Sequence, residues 1–72
     1  TYLNADNLRA AMGLLRWSAA DVASNAGVSE PTVNRLLAGQ NVREDTREKV
    51  TQAIDRAGVE LFNGGRPGAR RI

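Results

Sequence analysis

Two side chains near the middle of the sequence have the chemistry to read the edge of a base pair. The guanidinium of Arg35 can donate two parallel hydrogen bonds to guanine O6 and N7, and the carboxylate of Glu30 can accept one from cytosine N4. If Val33 is buried in a helix turning about 100° per residue, then Pro31, Asn34, Arg35 and Ala38 face outward. Thr32 falls at the edge of that face and Glu30 projects from the first turn. Such a face would meet a major groove. Pro31 could give only apolar contact there, for instance with a thymine methyl. Ser29 and Thr32, with the amides that open the same helix, are natural ligands for phosphate.

Other chemistries are poorly supplied. The 72 residues include no cysteine and no histidine, which removes disulfides, thiolate metal sites, the usual zinc ligand and the usual general base. The adjacent acids Glu44 and Asp45 are explained as first-turn partners of a helix dipole rather than as an acid/base pair. A chain this short buries only about 60% of its unfolded surface and has no spare volume for a deep substrate pocket. No enzyme activity, cofactor or metal is expected.

The outward face must be held by its neighbours, and the stretch Ser18 to Gly39 reads as two short helices joined by a tight turn. Ser18 can cap the first while Asp21, three positions on, reaches back to the amide of the cap. Gly27 falls where the chain must leave that helix with positive φ. Val28 plugs the corner, Ser29 caps the second helix, and Pro31 is tolerated because first-turn amides have no partner inside a helix. Val33, Leu36 and Leu37 mark its buried side, and Gly39 ends it. Ala23 is small where the two helices cross.

Flanking helices complete the reading. Asn4 caps a first helix with the apolar stripe Leu8, Ala11, Met12 and Leu15, weakened in its middle by Gly13. Trp17 plugs the core at the following junction. After the connection at Gln40 to Val42, residues 43–57 form a fourth helix with inner residues Val50, Ala53, Ile54 and Ala57, stopped by Gly58. Val59 to Phe62 is β-prone, Asn63 to Gly65 is turn chemistry, and the residues beyond can return as a second strand. A two-stranded ribbon is marginal alone, so it should pack on the helices or pair with a second copy; the alternative is a disordered basic tail. The expected fold is all-α, a four-helix helix-turn-helix domain over residues 1–58, with an extended or hairpin segment over 59–72 as a candidate dimerisation element.

Ala23 and Gly27, then Val28, Ser29, Thr32, Val33 and Leu36, with the flanking runs LLRWSAADVA and VREDTREKVTQAI, resemble the Xre/Cro type of repressor-like DNA-binding domain over Leu8 to Ile54. The resemblance implies a bacterial transcriptional regulator that binds double-stranded DNA as a homodimer, with recognition helices about 34 Å apart in successive major grooves. It places base reading on Glu30, Pro31 and Arg35, with Asn34 on the same face, and phosphate contact at Ser18, Ser29, Thr32, Gln40, Asn41 and Arg43. In one respect the sequence departs from that pattern: Ala19 follows Ser18, where the family often carries a glutamine.

The formal net charge is +2, unevenly placed: over residues 1–40 Arg9, Arg16 and Arg35 offset Asp6, Asp21 and Glu30, whereas the tail carries Arg66, Arg70 and Arg71. The neutral head and Ala19 support an alternative in which the fold serves as a protein-binding module, an antiactivator or antitoxin-like partner of another regulator. No apolar run approaches the roughly 20 residues needed to span a bilayer. The opening TYLNADNL lacks the basic and apolar regions of a signal peptide, so a cytoplasmic chain is expected.

Overall fold

In a computed structural model, which describes residues 3–62 and 68–71, four helices run in order as α1 (Ala5–Leu15), α2 (Ala19–Ala26), α3 (Glu30–Leu37) and α4 (Glu44–Arg56). They are followed by strands β1 (Val59–Phe62) and β2 (Gly68–Arg71), paired antiparallel with Val59 opposite Arg71 and Phe62 opposite Gly68. The expected hairpin therefore forms. The turn residues Asn63 to Gly65 and Arg66 lie outside the described residues.

Local chemistry sets the helix starts. At α1 the side chains of Asn4 and Asn7 each accept from the other's backbone amide at 2.8 Å, and at α2 Ser18 and Asp21 form the same reciprocal box. Ser29 caps α3 by accepting from the Thr32 amide. Gly27 leaves α2 at φ 71° and Gly39 follows α3 at φ 76°, a left-handed backbone that only glycine adopts without strain. A Cβ added at either would meet nothing within 4 Å, so the requirement is conformational rather than steric.

Leu8, Ala11, Val22, Ala23, Ala26, Val33, Leu36, Val50, Ala53 and Ile54 make a single core with Leu3. The hairpin packs on α1 and α4 and adds Val59 and Leu61 to that core. Met12, Leu15 and Trp17 are only partly buried against it, and Ala57, expected on the inner face of α4, is exposed. The reason is that α4 ends at Arg56, and Ala57 is already its C-cap, where the backbone turns toward the strand. Asn7 is a fully buried polar residue, tolerated because its side chain completes the α1 cap.

One residue breaks a local rule. Arg16 closes α1 at φ 57°, the single non-glycine residue with positive φ among those described. A left-handed L-residue costs about 1–2 kcal/mol. Arg16→Gly removes that cost but gives the unfolded chain more freedom, which offsets part of the gain, so the substitution is expected to stabilise the fold by about 0.5–1 kcal/mol. Chemical denaturation checks this; a lower midpoint would contradict it.

Candidate nucleic-acid interface

α3 is eight residues long, about 12 Å at the helical rise, and its two sides differ sharply. Val33 and Leu36 are fully buried, whereas Glu30, Pro31, Asn34, Arg35 and Ala38 are exposed and Thr32 is at the margin. The four residues expected to read bases therefore share one open face of α3. Among the described residues the Arg35 side chain has no hydrogen-bond or ion-pair partner. Arg16 and Arg56 likewise show none, whereas Arg9, Arg47, Arg71 and Arg43 are engaged. Arg9 donates to the Leu37 carbonyl at 2.9 Å, Arg47 to that of Leu3 at 2.6 Å, and Arg71 to that of Leu14 at 2.8 Å. Arg43 pairs with Asp45 at 3.4 Å.

A cleft of about 420 Å³ runs between α3 and the start of α4, lined by Thr32, Arg35, Asn41, Val42, Arg43 and Thr46. It joins four of the predicted residues, Thr32, Arg35, Asn41 and Arg43, with two that sequence reasoning missed, Val42 and Thr46. The available signal for Thr46 was its place in the first turn of α4, directly after the loop. Ser18, Ser29, Glu30, Pro31, Asn34 and Gln40 do not line this cleft, although all are exposed.

All three hydroxyls in the predicted phosphate set are already engaged. Ser18 accepts from the Asp21 amide and directs its one proton at the Asp21 carboxylate, 3.1 Å away, so an incoming phosphate oxygen would have to displace that contact. Ser29 and Thr32 share a hydroxyl hydrogen bond of 2.7 Å in which either can donate, leaving the other proton free for an acceptor. The Arg43–Asp45 pair is highly exposed on both sides and worth little, so a phosphate could exchange for the carboxylate at small cost. Glu30 sits in the first turn of α3, where the helix dipole favours its charge.

Among the described residues no three or more histidine, cysteine or acidic side chains are grouped to hold a metal ion, and no helix is long and apolar enough to cross a membrane. If Arg43 contacts a phosphate and no base, as its sequence position leads one to expect, Arg43→Ala is expected to weaken binding to all duplexes alike and to lower the salt slope by about 1. A salt titration on two unrelated duplexes measures this, and a loss confined to one of them would contradict the assignment.

Two helices joined by a glycine turn, the second exposing a polar face while its other side enters the core, define a helix-turn-helix domain. The family model described as bacterial regulatory proteins, lacI family, matches residues 19–59, from the start of α2 through α4 to the first residue of β1. The chain belongs to the lacI family, as a helix-turn-helix DNA-binding domain of a transcriptional regulator and not an enzyme. Catabolite control protein A of Streptococcus mutans is 57% identical over 37 residues, which is 50% of this chain and 11% of that protein. This chain thus spans about a tenth of the length of the relative it matches.

The family is thereby corrected from the Xre/Cro type to lacI. The misreading has a physical origin. Ala23, Gly27, Val28, Ser29, Val33 and Leu36 specify a close helix crossing, a left-handed turn and a cap. Those requirements belong to the helix-turn-helix geometry itself, so residues chosen by them do not distinguish one family that uses it from another.

Proposed function

We propose that this chain reads a specific duplex sequence by placing α3 in a major groove. In this reading Glu30, Pro31, Asn34 and Arg35 meet base edges, and Ser29, Thr32, Gln40, Asn41 and Arg43 bind the flanking phosphates. Ser18 takes a phosphate only by exchange with Asp21. The observation that carries the reading is Arg35, an exposed guanidinium without a partner among the described residues, on a face whose opposite side is fixed in the core. Arginine in that state can offer its paired donors to guanine without first breaking an internal bond. The cleft that runs from Arg35 to Arg43 supports a backbone path beside the reading helix.

The functional unit is a homodimer that sets two copies of α3 about 34 Å apart on one face of the DNA. The printed name of the relative, a catabolite control protein, fits a regulatory role. Selection from a random duplex pool, followed by salt titration on the enriched sequence, tests the proposal. A palindrome with half-sites about one helical turn apart is the expected product. Weak binding without sequence preference, abolished by moderate salt, would instead favour the use of this fold to hold a protein partner.

A further inference from the structure

The recognition helix is fastened at its far end by a residue from outside the family-matched segment. The last four carbonyls of a helix have no partner within it unless the chain beyond supplies one. In α3 the Ala38 amide donates to Asn34, the Gln40 amide to Arg35, and the Gly39 amide to Leu36. The carbonyl of Leu37 is left over, and the Arg9 guanidinium of α1 donates to it at 2.9 Å. Arg9 lies 28 positions earlier in the chain and is also within 3.9 Å of Asp6, one turn back, which helps aim it. Its positive charge sits at the negative end of the α3 dipole.

α1 is in turn fastened from the hairpin, where Arg71 donates to the carbonyl of Leu14 in the last turn of α1. Both α1 and β2 lie outside residues 19–59. They form a layer that shares the core with α3 and reaches its last carbonyl through the Arg9 guanidinium.

We infer that Arg9 is a positioning residue for DNA reading: by closing the last turn of α3 it holds Arg35, two residues before Leu37, at a fixed angle to the groove. The inference rests on the proposed reading face, and its test separates the two. Arg9→Gln in the full chain removes the charge and retains length; Arg9→Lys retains the charge and a donor. Amide exchange without DNA is expected to speed up roughly fivefold at Ala38, Gly39 and Gln40 in Arg9→Gln, as expected for loss of a helix-end cation, while Val50 and Ile54 in the core are unchanged. Affinity for the duplex enriched by the unaltered chain is expected to fall roughly fivefold with the salt slope unchanged, and Arg9→Lys to recover most of both effects.

Unchanged exchange at the end of α3 would overturn the inference. So would faster exchange with undiminished affinity, which would show that the end of α3 does not govern reading. A salt slope lowered by about 1 would mark Arg9 as a direct phosphate ligand instead. If the unaltered chain enriches no duplex, the DNA reading fails by itself, and the exchange comparison alone still decides whether Arg9 holds the helix.

Discussion

Arg35→Ala is expected to lower affinity for the enriched duplex by about 5- to 150-fold, the range that corresponds to losing one bidentate contact to guanine. The unfolding midpoint should stay where it is. Both expectations follow from the same observations: Arg35 is exposed on α3, its side chain has no partner among the described residues, and alanine is an excellent helix former in its place. Sequence preference should relax most at a single base pair in each half-site, which a repeated selection with the variant would display. Undiminished affinity would remove α3 as the reading face. A loss spread evenly over all duplexes would reassign Arg35 to the phosphates, a role its place in the cleft with Arg43 makes sterically reasonable.

The next residue should behave in the opposite way. Leu36 is 2% exposed and occupies the core side of α3, so Leu36→Ala is expected to destabilise the domain by about 2–5 kcal/mol through lost burial and an unfilled cavity. A chain of this size has a total stability of roughly 4–11 kcal/mol, so the variant loses much of its margin and melts far earlier. Denaturant titration reads the change directly. At a temperature where the variant is still folded, its affinity for the duplex should remain close to that of the unaltered chain, since the outward face keeps its residues. A cost below about 1 kcal/mol would mean that Leu36 is not the anchor its burial suggests. Two consecutive positions thus separate what holds the helix from what the helix is for.

Much of the fold was legible because short-range rules decide it. Asn4 with Asn7, Ser18 with Asp21, and Ser29 with Thr32 are contacts three residues apart, and each cap stands where sequence spacing places it. Gly27 and Gly39 satisfy backbone requirements visible from their positions alone. Val33 and Leu36 follow from helical periodicity, and the exposed reading face is their complement. What stayed hidden depends on residues far apart in the chain. The bonds from Arg9 to Leu37, Arg47 to Leu3 and Arg71 to Leu14 span 28, 44 and 57 positions, and a surface arginine carries no sign of which carbonyl it will meet.

Arg16 was hidden for a different reason. A left-handed cap without glycine or asparagine breaks the preference from which such caps are recognised, although the α1 end is closed locally, the Arg16 amide donating to Gly13 and the Trp17 amide to Met12. The burial of Asn7 was likewise obscured, since a polar residue in the first turn ordinarily faces water. At the candidate site, Thr46 and Val42 became visible only when the start of α4 was seen beside α3. The family could not be separated from its neighbour by turn geometry, because both use the same turn.

On the proposed reading, duplex DNA meets this chain at the start of α3 and across the cleft toward α4. Amide shift mapping of the isotope-labelled chain, titrated with the enriched duplex, tests it most directly. The expected result is a set of large shifts at residues 29–35 and 40–46, with α1 and the strands little changed except near Arg9. Shifts concentrated on β1, β2 and the outer side of α1, with α3 unaffected at saturating duplex, would contradict it.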